Sequence, residues 1–368
     1  MIPVSAPSIT SVEVDTVCDA VRSGWVSSKG AYIERFEREF ATVCNAPYAT
    51  SAANGTVALH LALLALGIGE GDEVLLPTFT FVGTASPILY LKAKPVFVDV
   101  DPRHWCIDPE RIERYITKRT KAIIVVHLYG HPADMDPIRE IASRHGLYVI
   151  EDAAEAHGAD YRGKPVGGLS DISIFSFYGN KIITTGEGGA LVSQQHDLIE
   201  RANFFKNHGM DPVQRYWHPE LGYNYRMTNL QAALGVAQLT RMRELLGKKR
   251  HIAEKYKSLL AQAPITFQDE MAWARSSNWM VSVVPDRVSN RELRDTLICR
   301  LLERGIETRP LFYPIHHFPT YQSFANDGDF PVSNELCYRG INLPSGADLS
   351  DREIEMVAHE LVSVLRTI

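Results

Sequence analysis

Four short apolar runs, at 73–76, 95–100, 122–127 and 147–150, are bounded by turn residues and alternate with helix-like stretches. The helix between the last two is marked at both ends, with Asp136 placed to cap it, Pro137 to open it and Gly146 to stop it. Strands that alternate with helices pair in parallel, because each crossover returns the chain over a face of the sheet. The pattern predicts an α/β fold with a mostly parallel sheet covered on both sides. Sites in such sheets gather at the carboxyl ends of the strands. Phe81, Asp152 and the turn carrying Lys181 fall there.

Lys181 is the residue with the most to explain. An apolar strand at 172–177 runs into the turn Tyr178-Gly179-Asn180-Lys181, and Thr184, Thr185 and three glycines lead to a second apolar strand at 190–192. A lysine held between buried strands is costly as an ammonium ion. That cost falls when the amine forms an imine with a carbonyl cofactor, the nucleophilic use of lysine. About thirty residues upstream, the strand Tyr148-Val149-Ile150 ends in Glu151-Asp152-Ala153-Ala154-Glu155. A carboxylate there stands where a pyridoxal phosphate (PLP) enzyme places the partner of its pyridinium nitrogen. The segment Ala52-Ala53-Asn54-Gly55-Thr56, feeding the Ala/Leu-rich helix 57–66, is a ready anion site, with free N–H groups and the helix dipole facing it.

Three runs, Glu151-Asp152-Ala153-Ala154-Glu155-Ala156, Phe175 through Lys181, and Gly222-Tyr223-Asn224-Tyr225-Arg226-Met227-Thr228-Asn229, together resemble the DegT/StrS family of PLP-dependent nucleotide-sugar aminotransferases. The likeness extends over nearly the whole chain. It implies fold type I of the PLP enzymes: a large domain, residues 1–245, on a mostly parallel seven-stranded sheet, and a small α+β domain, residues 246–368. Residues 1–25 are expected to pack with the small domain. It further implies that Lys181 and Asp152 are catalytic, and that Glu155 stands at the O3′ side of the ring, where many members have Gln or His. Gly55, Thr56 and Ser176 would hold the phosphate, and Phe81 would stack on the ring. Asn224 would reach the phosphate of the neighbouring subunit's cofactor, making the protein a homodimer with shared sites. Trp217, His218, Arg226, Arg309, Tyr313 and His316 lie in segments that the family places around the sugar nucleotide.

The implied reaction moves the amino group of L-glutamate, through PLP and its amine form PMP, to C4 of a nucleotide-linked 4-keto-6-deoxysugar. GDP-4-keto-6-deoxy-D-mannose is the favoured acceptor, with dTDP- and UDP-linked sugars open. A sugar dehydratase of the same fold is disfavoured because some replace the lysine with histidine, and Lys181 is present. A PLP-binding regulator is disfavoured by the intact Lys181, Asp152 and Ser176.

Composition narrows the partners. The 368 residues carry a formal net charge of −6 and no basic block, which argues against nucleic acid. No apolar run has the length of a membrane span, and residues 1–5 lack the basic flank and apolar core of a signal peptide. Five scattered cysteines without a C-x-x-C pair suit reduced thiols in the cytoplasm. No G-x-G-x-x-G follows the first strand, so a dinucleotide site is excluded. The pairs His127/His131 and His316/His317 have no Cys or carboxylate at helical or zinc-finger spacing, and no metal is expected.

Toward the C-terminus, Thr228-Asn229-Leu230-Gln231 reads as a capping box opening a helix over 229–246, and Gly247 with Lys248-Lys249-Arg250 divides it from a second helix.

Overall fold

The computed structural model describes residues 1–325 and 327–368. Seven strands make the main sheet: β1 (Tyr48–Ala52), β2 (Glu73–Pro77), β3 (Lys94–Val98), β4 (Thr120–Val126), β5 (Tyr148–Asp152), β6 (Ile172–Ser176) and β7 (Gly189–Ser193). Their order across the sheet is β1-β7-β6-β5-β4-β2-β3. Strands β3 to β6 and β2 run parallel, while β7 is antiparallel to β6 and to β1. Side chains such as Val74, Leu75, Ile123, Ile124 and Ile150 are wholly buried. That is the composition a sheet covered on both faces demands. Register sets Asp152 between Val126 of β4 and Ile174 of β6, at the carboxyl edge.

A second sheet, β8 (Ile265–Phe267), β9 (Val281–Pro285), β10 (Arg309–Pro310) and β11 (Ile341–Leu343), is antiparallel with the order β8-β9-β11-β10. It closes over a separate core that includes Tyr256, Leu297, Leu301, Val357 and Leu361. The final helix, Asp351–Leu365, opens with the Ser350/Glu353 capping box and buries Ile354, Val357, Ala358, Leu361 and Leu365. Ile2 belongs to this core, and its N–H donates to the Gly305 carbonyl at 2.7 Å. Among the described residues no helix is long and apolar enough to cross a membrane.

Three local expectations need correction. The helix before β5 spans Met135–His145 with Asp134 at its N-cap position, where it makes no side-chain capping bond, so Pro137 sits in the third position of the first turn. Proline is tolerated there because that N–H has no intrahelical acceptor. There is no break at Gly247: one 31-residue helix runs Asn229–Leu259, opened by the expected Thr228/Gln231 box. An interior glycine costs only about 1 kcal/mol. The basic residues after it are anchored rather than looped out. Lys249 Nζ donates to the carbonyls of Trp279 and Ser345, and Arg250 donates to those of Ser276 and Gly158.

The third correction concerns the first helix, Ser11–Arg22. By sequence, residues 11–23 read as an amphipathic helix with Val14, Val17, Cys18 and Val21 on one face, yet Val14 and Val21 are exposed while Glu13 is buried. Glu13 accepts from the N–H and hydroxyl of Thr10, from Gln238 and from Arg241, fixing this helix to the long one. Burial works against its charge, but those donors outweigh burial and hold its carboxyl down at about 2. A depressed carboxyl stabilises the fold fully above its unfolded pKa and loses that contribution as pH falls through the folded value. The thermal midpoint should therefore decline between about pH 4.5 and about pH 2, and Glu13→Gln should lower the neutral-pH midpoint and flatten that acid limb. Identical acid limbs in both proteins would remove Glu13 from this role.

Candidate active site

The strand bearing the lysine is gripped from behind. Helix Ala31–Val43 sets Phe36 and Phe40 against it, with Phe40 meeting Phe175 and Phe177 edge to face at 4.8 and 5.0 Å. Such pairs contribute about 0.5–1.5 kcal/mol each beyond the area they bury. Past β6 the chain stays tied to its neighbour, since Phe177 N–H donates to Gly188 O and its carbonyl accepts from the Thr185 N–H and the Thr184 hydroxyl. The turn closes with Lys181 N–H donating to Tyr178 O at 2.9 Å.

Lys181 points into a cavity of about 860 Å³, lined among others by Gly55, Thr56, Phe81, Asp152, Glu155, Ser176 and Arg309. Seven of the sequence-predicted cofactor residues thus converge with one substrate candidate. Lys181 Nζ lies 3.7 Å from Glu155 Oε1 and 3.8 Å from the centre of the Trp279 ring. Burial pushes its amine below the usual lysine range, and Glu155 and Asp152 pull it part of the way back. A neutral amine is the nucleophilic form.

Asp152 is buried with two donors on it, the Thr84 hydroxyl at 2.7 Å and the Ala154 N–H at 3.2 Å. Burial raises its pKa, opposed by Thr84. Glu155 is pushed up to about 7, chiefly by burial, with Lys181 opposing. The Tyr129 N–H donates to its Oε2 at 2.8 Å, and Tyr129 itself sits at φ 54°, an αL conformation uncommon for a residue with a side chain. A strained backbone at that spot is the cost of aiming a donor at Glu155.

At the other end of the cavity, helix Gly55–Ala65 begins at Asn54, whose side chain accepts from the Val57 N–H. The cap leaves the Gly55 and Thr56 N–H groups as the outward donors of the first turn. A Cβ on Gly55 would stand 2.8 Å from Ser176 Cβ, so only glycine lets the Ser176 hydroxyl and this helix end close around one small anion. The residues fit PLP: a phosphate cradle at one end, a buried carboxylate and lysine at the other, and the half-exposed Phe81 ring between them.

The remaining candidates separate into groups. Arg226 reaches Asn207 Oδ1 and Asn224 Oδ1 at 2.9 and 3.0 Å, and His218 Nδ1 lies 2.9 Å from the His208 carbonyl. His218 and Arg226 line a second cavity of about 600 Å³. Asn224 and Trp217 are exposed beside them and do not line the lysine cavity. Tyr313 turns to Arg294, which donates to its hydroxyl at 3.0 Å, and His316 is buried against Thr78, so neither lines the lysine cavity in this chain. Among the residues at the site that went unread in the sequence are Thr84, Tyr129 and Trp279. Only the Thr78-Phe79-Thr80-Phe81 stretch leading to Thr84 carried a local signal.

An α/β sheet that presents a buried lysine, a buried aspartate and a helix-end anion cradle around one cavity is the arrangement of a PLP-dependent enzyme. Residues 7–362 match the model of the DegT/DnrJ/EryC1/StrS aminotransferase family. The chain is 45% identical over 359 residues to a GDP-perosamine synthase of Vibrio cholerae, covering 98% of each. It superposes with TM-score 0.95 on the PMP form of the putative sugar aminotransferase Spr1654 from Streptococcus pneumoniae, at 28% identity over 100% of this chain and 98% of the other. DesV of S. venezuelae, solved with a ketimine intermediate, matches with TM-score 0.91 at 35% identity, over 97% of this chain and 95% of that one. The chain belongs to the DegT/DnrJ/EryC1/StrS aminotransferase family.

Proposed function

We propose that this protein transfers the amino group of L-glutamate to C4 of GDP-4-keto-6-deoxy-D-mannose, giving GDP-perosamine in the cytoplasm as a precursor for lipopolysaccharide O-antigen. The observation that carries the reading is the end-to-end likeness to GDP-perosamine synthases at 45% identity, with Lys181 and Asp152 both in place. PLP, when bound, supplies the carbonyl that takes up the amino group and the ring that accepts electrons. Gly55, Thr56 and Ser176 would hold its phosphate, and Asp152 its ring nitrogen. Lys181 Nζ would carry the proton to and from the reacting carbon, the work of a base with a lowered pKa. Arg309, on the cavity wall, would meet the diphosphate, for which a planar guanidinium is suited. Turnover of GDP-, dTDP- and UDP-linked 4-keto-6-deoxysugars with L-glutamate tests this. Preference for a dTDP or UDP substrate would overturn the choice of acceptor.

The same reading includes a homodimer with shared sites. Exposed Trp25, Val26, Tyr216, Trp217 and Leu221 supply apolar surface for a partner. With its Oδ1 held by Arg226, Asn224 keeps its amide donors for a group beyond its own chain. Losing one hydrogen bond to a charged phosphate costs about 1.5–3 kcal/mol, or roughly ten- to a hundredfold in PLP affinity. Mixing Lys181→Ala with Asn224→Ala subunits should restore activity above either parent, because one site of each mixed dimer is then wholly native. No gain after confirmed subunit exchange would refute a shared site.

A further inference from the structure

By spacing alone His316 and His317 have no third ligand, but the fold brings one. The segment after them returns Asp327, ten and eleven residues along, so that His316 Nε2 and His317 Nε2 each lie 3.0 Å from Asp327 Oδ1. One ligand atom of each residue falls within 4.8 Å of the others.

All three side chains are held by further partners. His316 is buried, with Nδ1 2.7 Å from the Thr78 hydroxyl and its ring 4.5 Å from that of Phe330. His317 stacks on Tyr338 at 5.9 Å, and Asn334 donates to Asp327 Oδ1 at 3.0 Å. A hydrogen bond on the far imidazole nitrogen, and one on the carboxylate, are what orient ligands toward a metal.

We infer that His316, His317 and Asp327 form a binding site for a divalent transition-metal cation of the zinc type, with two nitrogen ligands, one oxygen ligand and a solvent-facing position for water. Imidazole and carboxylate suit zinc, and Asp327 and His317 lie near enough to the surface to admit the ion. A second cluster of this kind among the described residues, His104, Cys106 and His131, differs in one decisive way. His131 Nδ1 is 2.6 Å from Pro132 O, and its Nε2 accepts the Met271 N–H, so neither nitrogen is free to bind.

The cation would fasten one segment to another. Ile315 N–H already donates to Thr78 O at 2.7 Å, and Thr78 opens the stretch carrying Phe81 and Thr84 on the cavity wall. Occupancy should therefore register as stability, not as chemistry at the lysine.

The test titrates tag-free, PLP-loaded protein with Zn²⁺ by calorimetry and with Co²⁺ by visible absorption. The wild type should take up one Zn²⁺ per chain and gain thermal stability. His317→Gln and Asp327→Asn should each bind at least about tenfold more weakly and lose the gain, with PLP absorbance and circular dichroism unchanged. His317 is the more exposed ligand, so its variant serves if Asp327→Asn does not fold. The Co²⁺ form should show ligand-field bands without a thiolate charge-transfer band. Absence of stoichiometric binding, equal affinity in His317→Gln, or a thiolate band pointing to Cys106 would each overturn the assignment.

Discussion

Lys181→Ala is expected to lower transamination by about ten-thousand-fold or more, while PLP still binds through the phosphate cradle. Lys181 is the amine inside the cavity, 3.7 Å from Glu155 and capped by the Trp279 ring. Gly55 and Thr56, in the first turn of their helix, and Ser176, at the end of β6, line the cavity without resting on the Lys181 side chain. Added amines should give no more than partial rescue, because a free amine lacks the alignment imposed by the Tyr178–Lys181 turn. On the wild type, borohydride reduction should abolish the yellow colour and leave a phosphopyridoxyl mass on the peptide containing Lys181. A label on any other lysine would remove it from this role.

Asp152→Asn should reduce turnover by roughly a hundred- to a thousandfold, the scale for losing one preorganised electrostatic partner. A neutral amide cannot keep a pyridine nitrogen protonated. PLP affinity should change far less, since the proposed phosphate cradle of Gly55, Thr56 and Ser176 lies at the opposite end of the cavity. Thr84→Val should fall between the two proteins, because it strips one donor from Asp152 and leaves the carboxylate in place. Stopped-flow half-reactions with L-glutamate measure both effects apart from acceptor binding. Near-normal rates for Asp152→Asn would shift the role to Glu155, a carboxylate of the same cavity 3.7 Å from Lys181 Nζ.

The gathering of residues around the lysine cavity was legible because its determinants are short-range. A strand that ends in Asp152, a strand–turn that ends in Lys181, and a small-residue loop opening a helix at Gly55 each announce their geometry within ten residues. The alternation of strands and helices was enough to place these three at one sheet edge. Trp279 was not readable in this way, because its indole reaches Asn180 O and the lysine from a distant part of the chain. Tyr129 acts through a backbone N–H in an αL conformation, which no side-chain pattern reports. Glu13 and the outward valines of the first helix mislead for a related reason. Periodicity finds an apolar face but does not say what will cover it, and here the buried side goes to a carboxylate matched by Arg241.

The unbroken helix Asn229–Leu259 bears on how the chain can be taken apart. Its first turn is tied to the Trp25 and Ser27 carbonyls, and its last turns supply Ile252, Ala253 and Tyr256 to the second core. A cut at 245/246 would leave each fragment with half a rod and an open apolar seam. The two halves are therefore poor building blocks for chimeras: swapping the C-terminal third alone should yield insoluble hybrids. An exchange that moves residues 229–368 together with residues 1–27 keeps the helix whole and carries with it Glu13, Trp25 and Ser27, which tie down its first half.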